Sequence, residues 1–339
     1  MEFLFQKIVY LHSYNFKKKM KAIILQAHGD ASNLVLAEVP VPVAKTGEVL
    51  IEVKAVAINP SDTYIRKEES LDYIFGDERP RIMGWDVSGI IAAVGEGVNK
   101  FKVGDEVFGA INFPGRNHSG HGKGYAEFAT APVTDLAIKP ANISFEEAAG
   151  ATMAALTAWQ PLSKAGIKPG DRVLIAPAGG GVGHYAVQIA KHFGAYVIGI
   201  ASARKRDFVL SLGADEVIDY TTQRFEDIIT PVDVVLDGLR GDHIARSLTV
   251  VKPGGRLITL YTPIAGTPLE ELAKEMEVNA YYNTVHGSGE DMEKLAGLLA
   301  AGELKSYISK TFRLEETADA HREMELDNAQ GKIVISLKD

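Results

Sequence analysis

The chain has 339 residues, 46% of them hydrophobic and 24% charged, which is enough material for two globular cores. A net charge of −8 offers no general attraction to phosphate backbones, so nucleic acid is set aside as a partner. There is no cysteine, which excludes disulfides, thiolate metal sites and a cysteine nucleophile.

The first 19 residues, MEFLFQKIVYLHSYNFKKK, place lysines after their apolar part and contain no arginine. That order is wrong for a secretory signal, and the composition is wrong for a mitochondrial presequence, so residues 1–19 are expected to be a flexible extension. No apolar run approaches the roughly 18–20 residues that span a bilayer. A membrane is therefore not expected as a partner, and a cytoplasmic location is the default.

From Met20 onward, short β-branched runs at Lys21–Leu25, Glu48–Ala57, Ser88–Val94 and Glu106–Phe108 alternate with glycine-bearing turns. Many short strands at this spacing predict a small barrel. The rhythm changes at Ser144, where Ser144 and Glu147 form a capping-box pattern that predicts an alanine-rich helix through Trp159. Strands then alternate with helices. The strands are Arg172–Ala176, Tyr196–Ala201, Val217–Asp219, Val232–Asp237 and Arg256–Tyr261, with a helix over Val182–Phe193 and others between the later strands. This alternation predicts a doubly wound parallel sheet. Past Asn283 it stops. One amphipathic helix, Glu290–Ala301, and two strands, Ser309–Phe312 and Lys332–Leu337, are expected to return to the first domain. The fold class is thus α/β, with the parallel-sheet domain over 144–283 inserted into a barrel-like domain formed by 20–143 and 284–339.

The most informative stretch is Arg172–Gly183 (RVLIAPAGGGVG), a strand that enters a glycine-rich turn and then a helix. Glycine lets the backbone approach a pyrophosphate, and the helix N-terminus offers it free N–H groups and positive dipole potential. Ala178 stands where the first glycine of a G-x-G-x-x-G motif would be, while Gly180 and Gly183 are retained. At the end of the second strand an NAD site would place a carboxylate for the ribose 2′-hydroxyl. This chain instead reads Ser202, Ala203, Arg204, Lys205, Arg206. A hydroxyl and cations suit a 2′-phosphate, so NADPH is the expected cofactor.

Taken together, the motifs resemble the medium-chain dehydrogenase/reductase superfamily, in its zinc-free quinone oxidoreductase-like branch. They are Asn59–Arg66 (NPSDTYIR), Gly84–Gly89 (GWDVSG), Val94–Val98 (VGEGV), Val103–Gly109 (VGDEVFG), Ala155–Trp159 (ALTAW), Leu212–Tyr220 (LGADEVIDY) and Gly331–Val334 (GKIV). The likeness runs from Met20 to the C-terminus. It implies a GroES-like catalytic domain from both chain ends, a Rossmann domain between them, a cofactor in the interdomain cleft and a homodimer.

Zinc-bearing relatives carry a cysteine near Asn59 and Gly-His-Glu near Gly84, whereas this chain has Asn59 and Gly84-Trp85-Asp86. The four-cysteine lobe is also replaced by a loop near Asn112–Lys123. A metal is therefore not expected, and His118 and His121 of that loop lack further ligands. Trp85 and Asp86 are expected to be structural.

By position, the resemblance places Asn59 and Tyr64 at the nicotinamide and substrate end as candidate catalytic residues. Thr157 falls at the nicotinamide ribose, Gly180, Gly181, Val182 and Gly183 at the pyrophosphate, and Ser202, Arg204, Lys205 and Tyr220 at the adenosine phosphate. Leu260 and Tyr261 pass beside the nicotinamide. The implied activity is hydride transfer from NADPH to a quinone or an α,β-unsaturated carbonyl compound, with Tyr64 as leading donor to the developing oxyanion. An enoyl-thioester reductase and a noncatalytic NADPH-binding protein remain as alternatives.

Overall fold

The computed structural model describes residues 19–114, 120–326 and 329–337. Apart from Lys19, the expected extension lies outside the described residues, as does His118. A hairpin of β1 (Lys19–Leu25) and β2 (Leu34–Pro40) precedes a seven-stranded sheet. That sheet contains β3 (Glu48–Ile58), β4 (Asp86–Val94), β5 (Glu106–Ala110), β6 (Phe128–Pro132) and β7 (Leu136–Ile138). The chain's end adds β14 (Ile308–Arg313) and β15 (Lys332–Ser336), in the order β14-β15-β3-β4-β5-β7.

β3 is the organising strand. β4 pairs along its length, while β6 takes Glu48–Glu52 and β15 takes Ala55–Ile58 on the other edge. Register shifts between Leu50 and Ile51 and between Val53 and Ala55 bend it, as bulges do at barrel corners. Inside lie Ile51, Val56, Phe75, Trp85, Tyr125 and Ile333, all essentially solvent-free.

The central segment forms a six-stranded parallel sheet from β8 (Arg172–Ala176), β9 (Tyr196–Ala201), β10 (Glu216–Asp219), β11 (Val232–Asp237), β12 (Val251–Thr259) and β13 (Asn279–Tyr282). The spatial order is β10-β9-β8-β11-β12-β13, the doubly wound dinucleotide-fold arrangement. The strand order reverses between β8 and β11. Branched aliphatics such as Val173, Ile175 and Val234 face one core and Leu174, Ile198 and Val235 the other, because both faces are covered by helices.

Several features differ from the sequence expectation, among them β2, β6 and β7, which were not expected. β13 supplies a sixth strand beyond the five expected. β12 begins at Val251 and continues through Pro253, Gly254 and Gly255 with a register irregularity, rather than starting after that turn. The helix expected over Ser144–Trp159 is two helices, α2 (Phe145–Gly150) and α3 (Met153–Lys164), after an earlier α1 (Pro60–Lys67). Ser144 and Glu147 do form the capping box. The break falls at Thr152, whose hydroxyl donates to Ala149 O at 2.8 Å, while the Asp86 carboxylate accepts from Met153 N at 3.3 Å and restarts the helix.

Candidate active site

The turn Pro177–Val182 joins β8 to α4 (Gly183–His192) at the point of strand reversal, where the strands' carboxyl ends diverge. A Cβ on Gly183 would stand 1.9 Å from Pro177 O, so only glycine lets the helix pack this tightly on the strand end. The unexpected Ala178 is accommodated from the next strand. It is fully buried, and a Cβ on Gly199 would come within 2.8 Å of the Ala178 Cβ, so the missing side chain at 199 makes the room. No side chain caps α4; the turn itself takes the His184 and Tyr185 amides, at 3.1 Å to Gly180 O and Val182 O, and leaves the helix dipole at the strand tips. His184 supports the turn from below. Its Nε2 faces Tyr307 N at 3.5 Å and its Nδ1 faces Gly180 O at 3.1 Å, so Nδ1 carries the proton and donates. Burial pushes its pKa down to about 3, which keeps the ring neutral.

At the end of β9, half-buried Ser202 precedes a short 3-10 turn over Ala203–Lys205. The three cations have separate settings. Arg204 is exposed, Lys205 Nζ donates to Ala329 O at 2.7 Å, and Arg206 Nη1 donates to Val217 O at 2.9 Å. The Lys205 stem lies against the glycine turn, 3.0 Å from where a Cβ on Gly179 would be. Tyr220, past β10, is exposed. Asp219, beside it, is engaged by its own turn, accepting from Thr221 N at 3.0 Å and Thr221 Oγ1 at 2.8 Å.

Beneath the glycine turn lies a buried polar cluster. Asn59 Nδ2 donates to Asp86 Oδ2 at 2.8 Å, and Lys332 Nζ donates to Asn59 Oδ1 and, at 3.0 Å, to Ile58 O. Lys332 and Asp86 form an ion pair at 3.6 Å, with both side chains out of solvent. Burial pushes the Asp86 carboxyl up and the Lys332 ammonium down, and their mutual attraction opposes both shifts. Asp62 Oδ2 accepts from Asn59 N at 2.9 Å and Tyr125 OH at 3.2 Å, and Tyr125 OH meets His321 Nε2 at 3.1 Å. Burial, reinforced by the charge on Asp86, pushes Asp62 up to about 7. Burial, with Arg66 nearby, takes His321 down to about 3.

Sequence reasoning missed Asp62, Tyr125, His321 and Lys332. For Lys332 a signal existed, since it opens the apolar strand Lys332–Ser336. Asp86 is satisfied, as expected, but it also holds the candidate residue Asn59. Trp85 fills the barrel interior, donating from Nε1 to Gly120 O at 3.0 Å, and His121 packs edge-on against Phe75.

The half-buried Thr157 uses its hydroxyl to donate to Met153 O at 2.7 Å. Leu260 is buried, its amide donating to Asp237 O at 2.9 Å, whereas Tyr261 is open. Tyr64 on α1 and Tyr261 beyond β12 lie on one guanidinium, that of Arg240, at 4.7 and 5.2 Å from their ring centroids. The structure thus brings Tyr64 and Tyr261 together, and it gathers Asn59 and the glycine turn around Lys332. Tyr220 and the basic loop stand at the other end of the strand tips.

Two family descriptions match the chain, "Alcohol dehydrogenase GroES-like domain" over residues 45–141 and "Zinc-binding dehydrogenase" over 212–335. It is 34% identical to the 2-methylene-furan-3-one reductase of Solanum lycopersicum, across 95% of this chain and 80% of that protein. It is 32% identical to the chloroplastic NADPH-dependent alkenal/one oxidoreductase of Arabidopsis thaliana, across 94% and 80%. Among solved structures, the quinone oxidoreductase from Coxiella burnetii superposes with a TM-score of 0.85 at 34% identity, covering 95% of this chain and all of that one.

The residues of this chain do not fit the zinc named in the second description. The chain has no cysteine, and the Asn59–Asp86 position already holds the Lys332 ammonium, which would repel a second cation.

Proposed function

This chain belongs to the medium-chain dehydrogenase/reductase superfamily, in its quinone oxidoreductase-like branch, and from that premise we propose that it is an NADPH-dependent reductase of quinones and α,β-unsaturated carbonyl compounds. The observation that carries this reading is the pairing of a helix without a side-chain cap, behind a glycine turn, with a neighbouring strand end that presents Ser202 and Arg204. The cradle fits a dinucleotide. Side chains are excluded where α4 meets the strand, and the basic loop packs directly on the turn.

NADPH, when bound, supplies the hydride. Gly180, Gly181, Val182 and Gly183 would hold its pyrophosphate, and Ser202, Arg204, Lys205 and Tyr220 its phosphorylated adenosine end. Thr157, Leu260 and Tyr261 would line the nicotinamide end. Lys332 and Asp86 fix both ends of the Asn59 amide, so Asn59 enters the cleft as a rigid wall with its second Nδ2 hydrogen left for a ligand. Tyr64 stands at the open side, where its hydroxyl would donate to the acceptor's oxygen as negative charge develops there. A conjugated acceptor spreads that charge, so the protein's main tasks are positioning and water exclusion. We place the cofactor domain at 144–283 and the catalytic domain at 20–143 with 284–339, and take the working assembly to be a cytoplasmic homodimer.

The test is spectrophotometric NADPH oxidation with phenanthrenequinone and a panel of small enones. Turnover is expected with both acceptor kinds. Tyr64→Phe should lower kcat/KM on the enones by roughly ten- to a hundredfold. Saturable NADPH binding without turnover on any of these acceptors or on acyl-thioesters would show a binding protein, and turnover on thioesters alone an enoyl-thioester reductase.

A further inference from the structure

Arg240 occupies an unusual position for a charged side chain. It is exposed, it sits in the loop after β11, and its guanidinium lies over the rings of Tyr64 and Tyr261, which come from two different parts of the fold. Among the described residues it has no ion-pair partner. Two acids flank it in the loop: Asp242, exposed and two residues on, forms no ion pair with it, and Asp237 is fully committed. Its Oδ1 accepts from Leu239 N at 2.8 Å, and its Oδ2 from Ser247 Oγ at 2.7 Å, with His243 Nδ1 also at 2.7 Å. This buried network fixes the base of the loop while turning its negative charge inward. Asp237 therefore anchors the residue that carries the cation without neutralising it.

The two rings are 42% and 39% exposed, so an incoming molecule reaches them and the guanidinium together. Stacking leaves the edge of the guanidinium, with its forked N–H donors, open to a planar oxyanion. On a chain of net charge −8, a cation held by ring faces and not by an ion pair, at the rim of the candidate acceptor cleft, is a selective feature.

We propose that Arg240 is a specificity-determining residue that recognises acceptors carrying a carboxylate on the carbonyl side of the enone, with Tyr64 and Tyr261 holding the guanidinium for a two-point contact. The proposal rests on the reductase reading, because it takes the Tyr64 side of the cleft as the acceptor side.

The experiment compares 4-oxohex-5-enoate with its methyl ester, which share one vinyl ketone and, because two methylenes insulate the carboxyl group from it, differ chiefly by one negative charge. NADPH-dependent kcat/KM is measured on both for the wild type, Arg240→Gln and Arg240→Lys. The wild type is expected to favour the acid by tenfold or more, chiefly through KM. The Gln variant should bring the ratio to within twofold, and the Lys variant, which keeps the charge without the fork, should fall between. An equal response of the wild type to acid and ester overturns the proposal, as does an unchanged ratio in Arg240→Gln. A parallel loss on both acceptors also overturns it, because Arg240 would then only tie Tyr64 to Tyr261.

If no acceptor is reduced at all, the reductase reading fails separately. Calorimetry of 4-oxohex-5-enoate against its ester on the NADPH-loaded protein then decides the question of Arg240. Tighter binding of the acid that disappears in Arg240→Gln supports the proposal, and indifference refutes it.

Discussion

The glycine turn and the Lys332 cluster touch, Lys332 Cδ lying 3.4 Å from where a Cβ on Gly181 would stand, yet they are built by opposite means. The turn is made of backbone from one continuous segment and works by leaving side chains out. The cluster is made of side chains from the start of α1, β4, the segment at Tyr125, the helix Thr317–Glu325 that carries His321, and β15, with the Ile58 carbonyl of β3, and it works by burying charge that those partners satisfy. A site of the first kind tolerates little added volume, while a site of the second kind tolerates little loss of a partner.

The sharpest way to break the comparison is Lys332→Met. It leaves the Asp86 carboxylate buried without its cation, and a loss of about 3–5 kcal/mol in denaturant-unfolding stability is expected. Adding Asp86→Asn to that variant should recover a large part of the loss. If Lys332→Met alone is neutral, the cluster does not depend on its ion pair.

Gly183→Ala examines the turn in the complementary way. The added methyl meets Pro177 O, so α4 must shift, with a stability cost of about 1–3 kcal/mol and a disproportionate loss of NADPH affinity. Stability and affinity should fall together here, whereas in Lys332→Met the fold suffers first.

A smaller effect concerns pH. His184 and His321 refuse in the fold, down to about pH 3, the proton that an unfolded histidine takes near 6.5, so each contributes stability that is lost as pH falls through that window. Asp62 runs the other way. Held up at about 7 against an ordinary 3.8, it favours the fold at low pH and loses that contribution as pH rises from about 4 to 7. Between roughly pH 4.5 and 6.5 the histidines and the acid therefore pull stability in opposite directions. Asp62→Asn removes the offset, so its urea midpoint should fall with acidification more steeply than the wild type's. Equal slopes would remove Asp62 from this balance.

The smallest expected effect is Arg204→Ala. It should weaken NADPH by about tenfold while leaving NADH nearly unmoved, because one charge-assisted contact to the phosphate is lost. Calorimetry with the two nucleotides, repeated at higher salt, reads this directly.

The difference between the two regions also explains what was legible in the amino-acid sequence. β8, the glycine turn and α4 are contiguous, and their purpose shows in spacing alone, even with Ala178 in the place of a glycine. That Gly199 makes room for Ala178 could not be read, since it depends on strand pairing across the sheet. Most strands of both sheets followed from turns and β-branched runs, but β2, β6 and β7 did not. β13 was missed because Asn279–Tyr282 is only four residues long and half-buried. The Ser144 helix was extended too far because alanine-rich sequence carries no local mark of a break whose cause, Asp86, is distant in the chain. Asn59 and Tyr64 were visible only as members of a motif. Lys332, which holds Asn59, and Arg240, which joins Tyr64 to Tyr261, depend on contacts that no spacing rule encodes.

The most direct test of the account is a calorimetric comparison of NADPH and NADH binding to the folded wild-type protein. Tighter binding of NADPH by tenfold or more is expected from a glycine cradle flanked by Ser202 and Arg204. Equal affinities, a preference for NADH, or no binding of either nucleotide would contradict it.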